Sequence, residues 1–282
     1  MGRIEDVRRI YAEVVTAGVA DRRITEAYAR VPREHYLGEG PWDFACMGLY
    51  AQPRSTDPAC LYHNFPVAID RTRGLNNGEP FFLARMIDAL APADGSHVAH
   101  VGTGTGYYTA ILAELVGPAG RVTAIEIDPA LAAHSRDNLA RYPQVEVVNR
   151  SGTDLSLAGL DGLYINAGAT HPLPCWLDAL APGGRLVLPL TCDWEDAIGA
   201  GRVARIQRAD TGYTARLIHR VWIFDCDGAR DAVASQRLND ALKDERWDTV
   251  RSLRRDAHDA DETCWLHGAG YCFSTREPED AT

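Results

Sequence analysis

The sequence has 282 residues, of which 46% are hydrophobic and 24% charged, as is usual for a globular protein. Its formal net charge of −10 disfavours nucleic-acid binding, because a negative surface repels phosphates unless a basic patch is concentrated locally. No apolar run is long enough to cross a bilayer, and no leader-like segment opens the printed sequence. We therefore expect a cytoplasmic protein without a membrane partner. The seven cysteines are odd in number and scattered, which favours reduced thiols over disulfides.

The first third of the chain combines helices with a long loop. Residues 4–31 have helical periodicity that ends at Pro32. Residues 38–75 are rich in Gly, Pro, Asn and Asp, and they predict a loop with short extended pieces. Pro80 fits the first turn of a helix that continues to Leu90.

From Val98 onward, strands alternate with helices. The helices are predicted after the loop that follows residue 101, after Asp128-Pro129 and at residues 173–180, and Pro182-Gly-Gly184 predicts a turn. This alternation predicts a parallel sheet covered by helices on both faces. The predicted strands are residues 98–101, 122–127, 145–148, 163–166 and 186–190.

The last third of the chain departs from this alternation. Residues 203–207 and 213–224 predict two long strands joined by a hairpin at Ala209-Asp-Thr-Gly212. Residues 236–256 predict a helix, and residues 264–274 predict one short strand. These changes predict three regions: an N-terminal helical and substrate-loop region (1–95), an α/β core (96–228) and a C-terminal extension (229–282).

A glycine-rich loop, His100-Val-Gly-Thr-Gly-Thr-Gly-Tyr107, joins the first core strand to the next helix. Its spacing is G-x-G-x-G rather than the G-x-G-x-x-G of pyrophosphate binders. Glu126 stands at the end of the following strand, where a carboxylate can accept hydrogen bonds from both ribose hydroxyls. The loop and the acid together predict a nucleoside site, whereas the alternative is that the glycines only permit tight helix–sheet packing.

Three stretches of the sequence carry a family resemblance. They are VAHVGTGTGYYTAILAELVGPAGRVTAIEIDPALAAHSRDNL, DGLYINAGATHPLPCWLDALAPGGRLVLPL and RITEAYARVPREHYL. The chain resembles the protein-L-isoaspartate O-methyltransferases, which belong to the class I S-adenosylmethionine-dependent methyltransferases, over roughly residues 20 to 225. The resemblance implies an α/β, Rossmann-like sheet of seven strands that ends in an antiparallel hairpin, with helices on both faces. The N-terminal helices and the C-terminal extension are added to it.

The resemblance also implies S-adenosyl-L-methionine as the cofactor and assigns its binding residues by position. The glycine loop passes under the methionine and ribose, Glu126 binds the ribose hydroxyls, and the residues after the second and third strands contact the adenine. Ser151 stands where the family usually has Asp, and a neutral hydroxyl is the weaker acceptor. The implied cofactor-binding residues are Gly102, Thr103, Gly104, Gly106, Tyr107, Glu126, Ile127, Ser151 and Gly152.

The substrate loop departs from the family. Where the family has Thr-x-Ser-x-Pro, this chain has Asn76 for the threonine, Gly78 for the serine and Glu79 before Pro80. The serine hydroxyl is lost, and a carboxylate at Glu79 would repel an acidic acceptor unless it is protonated or points away. Asn76 and Asn77 can still donate hydrogen bonds to a substrate. The alternative is that Asn-Asn-Gly is only a turn.

A second departure is His100, because the family has Glu or Asp at the end of this strand, near the ammonium group of the cofactor. Either His100 is a core histidine and another acid, with Glu79 as the candidate, binds the ammonium, or His100 acts in catalysis. An ionised carboxylate acceptor needs no base. A hydroxyl acceptor would need one, and His100, His63 or His171 could serve as that base. We rank His171 above His63 because His171 follows a sheet strand at the ligand end.

These residues predict an S-adenosylmethionine-dependent O-methyltransferase that acts on a carboxylate of a peptide or small-molecule acid other than the general isoaspartyl substrate. The alternatives are an isoaspartyl repair enzyme, or an enzyme that uses S-adenosylmethionine without transferring the methyl group. Cys264, His267 and Cys272 are too few for a zinc site unless the distant Cys226 joins them, so no metal is expected. The sequence does not predict the oligomeric state, nor whether Trp42 and Trp176 lie in the core or in a pocket.

Overall fold

The computed structural model describes residues 2–46, 49–195 and 198–278. Seven α-helices occur in this part of the chain: α1 (Arg3–Val15), α2 (Arg22–Arg30), α3 (Pro80–Leu90), α4 (Tyr107–Val116), α5 (Pro129–Asn138), α6 (Pro174–Asp178) and α7 (Ala232–Leu242). Short 3-10 helices occupy Arg33–Tyr36, Pro58–Leu61 and Glu245–Thr249.

The strands of the described residues begin with β1 (Phe44–Cys46), β2 (Leu49–Ala51), β3 (Ala68–Asp70), β4 (Leu75–Asn76), β5 (His97–Val101), β6 (Arg121–Glu126) and β7 (Val145–Asn149). They continue with β8 (Leu160–Ile165), β9 (Leu180–Glu195), β10 (Ile198–Arg208), β11 (Tyr213–Phe224), β12 (Ser252–Arg254), β13 (Cys264–Gly268) and β14 (Tyr271–Ser274).

The chain divides into two compact units that alternate along the sequence. The first unit contains Met1–Ser96 and Thr103–Asn149, and the second contains His97–Gly102 and Arg150–Thr282. The division into three consecutive regions stays a prediction.

The first unit combines α1 to α5 with the paired strands β6 and β7, which run parallel. As the sequence predicts, Asp128 caps α5 by accepting hydrogen bonds from the backbone N–H groups of Ala130 and Leu131. A cluster of buried tyrosines joins the helices, and rings of α1, α2 and α4 meet at centroid distances of 6.1–6.2 Å. Its members are Tyr11, Tyr28, Tyr36, Tyr107 and Tyr108.

Arg33 is a fully buried cation that fixes the long loop of the first unit. Its guanidinium donates hydrogen bonds to the carbonyls of Leu61, His63 and Phe65 and to Oδ1 of Asn77. A charged group can be buried at tolerable cost only when its donors are satisfied in this way. The loop between α2 and α3 is therefore held from inside, although its sequence predicts mostly irregular structure.

The second unit contains eight strands in the order β13-β14-β12-β11-β10-β9-β8-β5. The strands β5, β8 and β9 are parallel, and the pairings from β9 to β13 are antiparallel. The predicted hairpin between β10 and β11 is confirmed, with the N–H of Ala209 donating to the carbonyl of Gly212. Five of the seven expected sheet strands lie here, and the other two are β6 and β7.

Three details of the second unit differ from the sequence prediction. The predicted turn at residues 182–184 lies inside β9, where the pairing with β8 jumps from Leu180 to Arg185 and thus makes a large bulge. The helix predicted at residues 236–256 ends at Leu242 and is followed by a 3-10 turn and β12. The single strand predicted at residues 264–274 is the hairpin of β13 and β14.

The last two corrections share a physical cause, since the extension adds β12, β14 and β13 to the edge of the sheet beside β11. A strand that pairs at a sheet edge gains its hydrogen bonds from a distant part of the chain, and local periodicity does not carry that information. Among the described residues, no helix combines the length and the apolar character that a bilayer crossing requires.

Candidate functional site

In the first unit, the glycine loop is held by a buried carboxylate. Oε2 of Glu126 accepts a hydrogen bond from the N–H of Gly104 at 2.7 Å, and Oε1 accepts one from the N–H of Asp128 at 3.0 Å. Burial raises the pKa of Glu126, while these backbone donors oppose that rise. Each carboxylate oxygen can accept a further hydrogen bond, so Glu126 can also bind a pair of hydroxyls.

The backbone of the loop uses a conformation that favours glycine. Gly102, Gly104 and Gly106 have φ angles of +79°, +58° and +96°. A Cβ at Gly106 would come within 3.1 Å of Ser135 Oγ, whereas at Gly104 it would meet only Ile69 Cδ1, at 3.8 Å, among the described residues. The space beside Gly104, next to the first turn of α4, can therefore accept part of a ligand.

Three other predicted cofactor residues of the first unit differ in accessibility. Thr103 is buried, and its N–H donates to the carbonyl of Ile125. Tyr107 is also buried, in the tyrosine cluster, where desolvation raises the pKa of its hydroxyl well above the ordinary value. Its side chain thus packs among helices, and the backbone at the start of α4 is the part that can face a ligand. Ile127 is 49% exposed, as a residue that covers an adenine ring would be before binding.

In the second unit, Ser151 and Gly152 follow β7 in a tight turn. Ser151 Oγ lies 2.8 Å from Thr153 Oγ1. A Cβ at Gly152 would lie only 2.2 Å from Val101 Cγ1, so the turn passes close to the end of β5. The indole Nε1 of the buried Trp176 donates to the carbonyl of Gly152 at 2.7 Å. Trp176 therefore supports this turn from the core.

Asn166 lies beside the end of β5 in the same unit. Its N–H donates to the carbonyl of Val101 at 2.8 Å, and its own carbonyl would lie 3.1 Å from a Cβ at Gly102. Asn166 is not among the site residues predicted from the sequence. Its position directly after a core strand is the signal that could have found it.

His100 is completely buried inside the second unit. Its ring stacks on that of Tyr164 with a centroid distance of 4.9 Å and an interplanar angle of 26°. Desolvation lowers the pKa of His100 to about 3, so the imidazole is neutral near pH 7. A neutral, weakly basic ring does not replace a carboxylate electrostatically. The geometry favours the core-histidine alternative, while a catalytic role for His100 stays a prediction.

The substrate loop is well ordered by its own side chains. Asn76 Oδ1 accepts from the N–H of Gly78 at 2.8 Å, and Asn77 Oδ1 accepts from the N–H of Val67 at 2.8 Å and from Arg33. Glu79 is exposed, and its Oε1 accepts from Asn64 Nδ2 at 2.6 Å. Of these side chains, Asn77 is engaged in the core, whereas Asn76 and Glu79 are the more accessible candidates for substrate contact.

Gly78 has a geometry that disfavours serine. Its φ angle is +75°, and a Cβ there would lie 2.6 Å from Leu83 Cδ1. The hydroxyl that the family resemblance leads one to expect therefore has no place on this backbone without a shift of Leu83 or of the loop.

The other two histidines predicted as possible bases, His63 and His171, also have lowered pKa values. Desolvation and the Arg33 cation lower the pKa of His63 to about 4, and its Nδ1 accepts from the N–H of Phe65. Desolvation also lowers the pKa of His171, which lies 2.9 Å from Thr170 Oγ1 and stacks on Tyr271. His63 therefore stabilises the loop, and His171 stays the candidate base near the end of a strand.

The question of Trp42 is settled in the same way as that of Trp176. Trp42 is buried against Leu61 and Val67 and donates to the carbonyl of Gly38. Both tryptophans are core residues.

The C-terminal extension brings together four histidine and cysteine side chains, of which only three were considered as metal ligands from the sequence. Cys264, His267 and Cys272 meet His258, and their ligand atoms all lie within 4.8 Å of one another. The fourth member is thus His258 and not Cys226. The reason given from the sequence for expecting no metal, too few ligands, was wrong.

Comparison with known proteins identifies the family. The model of the protein-L-isoaspartate(D-aspartate) O-methyltransferase family matches residues 7–214. The chain belongs to this family. It is therefore placed among the S-adenosylmethionine-dependent methyltransferases, and the predicted family, enzyme class and cofactor are confirmed.

Named relatives agree with this membership. A protein-L-isoaspartate O-methyltransferase of Aeropyrum pernix is 36% identical over 177 residues, which are 61% of this chain and 61% of the relative. A protein of the same name from Pseudomonas paraeruginosa is 30% identical over 76% of this chain and 90% of its own length. The family match ends at residue 214, before most of β11 and all of the extension.

Solved structures confirm the predicted fold class. A protein-L-isoaspartate O-methyltransferase superposes with a TM-score of 0.64 at 18% identity, covering 88% of this chain and 72% of the other. A Plasmodium falciparum protein described as a methyltransferase of the same kind, in complex with S-adenosyl-L-homocysteine, gives 0.59 at 20% identity, covering 78% and 98%. At these identities the likeness concerns the fold.

Proposed function

We propose that the chain transfers a methyl group from S-adenosylmethionine to a carboxylate of a peptide. Membership in the isoaspartyl methyltransferase family favours an isoaspartyl carboxylate as the first acceptor to test. The observation that supports the site most strongly is the buried Glu126, which binds the N–H of Gly104 and keeps capacity for ribose hydroxyls.

The residues present fit the cofactor. The glycine loop offers an open space at Gly104, next to the first turn of α4. Glu126 would bind the ribose, and Ile127, Ser151 and Gly152 would contact the adenine, as the resemblance implies. When bound, S-adenosylmethionine supplies a methyl group that its sulfonium makes electrophilic.

The protein's part in the reaction would be positioning rather than proton transfer. An ionised carboxylate is already a nucleophile, and its alignment with the methyl group is the main requirement. The lowered pKa values of His63 and His100 agree with this, because neither imidazole is a strong base. Asn76, whose Oδ1 is held by Gly78, keeps two amide N–H donors that can orient an acceptor oxygen.

A second acceptor class is favoured by two changes in the substrate loop. The loop has glycine in a left-handed conformation where the family resemblance implies serine, and Glu79 adds an exposed carboxylate nearby. Both changes favour an acid that differs from a general isoaspartyl peptide, such as a particular peptide or a small-molecule acid.

Acceptor competition distinguishes the two classes. The chain would be incubated with S-adenosylmethionine labelled in the methyl group and with an isoaspartyl peptide, the matched aspartyl peptide, or a panel of small acids. The first proposal predicts a base-labile ester on the isoaspartyl peptide alone. Ester formation only on other acids supports the second class, and the absence of any ester contradicts both.

A further inference from the structure

The C-terminal extension contains a compact group of two histidines and two cysteines, His258, Cys264, His267 and Cys272, here named the His2Cys2 cluster. Cys272 is buried and the other three are half-buried. The cluster lies beyond the residues that the family model matches, and the methyl-transfer site makes no use of it.

A strand irregularity brings the cluster together. Cys264 and His267 are three residues apart on β13, and in a regular strand their side chains would point to opposite faces. The register with β14 shifts between Cys264 and Leu266, which adds one residue and changes that alternation. His267 pairs directly with Cys272 on β14, so these side chains are neighbours on one face.

Hydrogen bonds orient the ligand atoms toward the centre of the cluster. Nδ1 of His258 lies 3.2 Å from a carboxylate oxygen of Asp256 and 3.0 Å from its carbonyl oxygen, which directs Nε2 to within 3.6 Å of Cys264 Sγ. The N–H of Asp261 donates to the same sulfur at 3.4 Å. Carboxylate–histidine pairs and N–H groups on sulfur are the supports that metal ligands commonly have in proteins.

His267 provides a separate observation. Its Nδ1 is buried, and no hydrogen-bond partner for it occurs among the described residues. A buried polar atom without a partner is costly, and a metal bound through this nitrogen would remove that cost.

We propose that the His2Cys2 cluster binds one zinc ion. Two thiolates and two neutral imidazoles form a usual tetrahedral donor set for structural zinc, and the two thiolates balance its charge. Metal–ligand distances of about 2.0–2.3 Å place tetrahedral ligands about 3.3–3.8 Å apart. The separation of 3.6 Å between His258 Nε2 and Cys264 Sγ lies within that interval. With four protein ligands the coordination is complete, so the ion is structural.

The zinc ion would join the β13–β14 hairpin to the preceding segment that contains His258. Tyr271 precedes the ligand Cys272, and its ring stacks on His171 with a centroid distance of 5.7 Å and an angle of 18°. Binding of the metal therefore also sets the position of Tyr271 against His171. This consequence concerns the extension and does not depend on the acceptor of the methyl group.

The test measures metal in the whole chain, purified without chelators. Inductively coupled plasma mass spectrometry should find about one zinc per chain in the wild type and in the control Cys175→Ser, whose thiol lies outside the cluster. Cys264→Ser and His258→Asn should lose most of the zinc. X-ray absorption of the wild type should show two sulfur and two nitrogen ligands, at about 2.3 and 2.0–2.1 Å.

Several outcomes would overturn the proposal. One is wild-type protein that stays free of zinc even after reconstitution with zinc under reducing conditions. Another is a Cys264–Cys272 disulfide in the unreduced protein, detected by peptide mass mapping, that persists when zinc is supplied. Equal zinc content in the wild type and both variants would also overturn it. If the variants fail to fold, X-ray absorption of the wild type still tests the proposal, because a ligand set other than two sulfurs and two nitrogens would overturn it.

Discussion

Restoring the family's serine, by Gly78→Ser, tests whether the substrate loop is built for glycine. The φ angle of +75° at Gly78 costs a residue with a side chain about 1–2 kcal/mol. The new Cβ would also lie 2.6 Å from Leu83 Cδ1. Moving the buried Leu83 off its rotamer adds about 0.5–1.5 kcal/mol. We expect a total destabilisation of about 1.5–3.5 kcal/mol.

A matched control separates the two costs. Gly74 has a φ angle of +70°, and a Cβ there meets no described atom within 4 Å. Gly74→Ser should therefore show the backbone cost alone, about 1–2 kcal/mol. The difference between the two variants measures the contact with Leu83.

The assay is denaturant unfolding of the wild type and both variants, followed by methyl transfer to an isoaspartyl peptide. We expect Gly78→Ser to be the less stable variant and not to gain isoaspartyl activity, because the hydroxyl enters a strained loop. If Gly78→Ser is as stable as the wild type and methylates the isoaspartyl peptide faster, the loop accepts serine and the reasoning is refuted.

Three further predictions follow from buried polar groups. Trp176→Phe leaves the carbonyl of Gly152 without its donor, so it should lower the unfolding free energy by about 1–3 kcal/mol. It should also weaken the binding of S-adenosylhomocysteine, measured by calorimetry. Unchanged affinity would show that the turn at Gly152 is not part of the cofactor site. Arg33→Met leaves three loop carbonyls unsatisfied and should lower the free energy of denaturant unfolding by about 3 kcal/mol or more. The control Arg9→Met, at an exposed position, should lower it by less than about 0.5 kcal/mol. Equal losses would contradict the anchoring role of Arg33. Burial lowers the pKa of His100 from 6.5 to about 3, so the unfolded chain binds more protons than the folded chain in that interval. The free energy of unfolding should therefore fall as pH falls below 6.5, and His100→Asn should flatten this dependence. An unchanged pH profile in the variant would contradict the burial of a neutral His100.

Much of the core could be predicted from local sequence. Pro80 and Asp128-Pro129 mark helix starts correctly, because a cap or a first-turn proline acts within its own turn. The glycine loop and Glu126 were identified by spacing, and the structure adds that the carboxylate binds the loop itself through Gly104.

The remaining features depend on contacts between distant residues. Arg33 can be buried because it donates hydrogen bonds to carbonyls about thirty residues later in the chain, and no local sequence pattern indicates those contacts. The extension was read as a helix and one strand because β12 and β14 gain their partners only at the sheet edge. His258 was missed because it lies in the loop before β13, where its contact with Asp256 directs the ring toward Cys264, and a spacing rule does not include that contact.

Methyl transfer to an acidic acceptor is the decisive measurement for the proposed reaction. The purified chain would be supplied with S-adenosylmethionine and an isoaspartyl peptide or small acids, and the products analysed by mass spectrometry. Carboxylate methylation predicts S-adenosylhomocysteine and a base-labile methyl ester in equal amounts. Both products should decrease together in the variant Glu126→Gln, because this substitution weakens cofactor binding. Methylthioadenosine in place of S-adenosylhomocysteine, or cofactor turnover without an ester, would contradict carboxylate methylation.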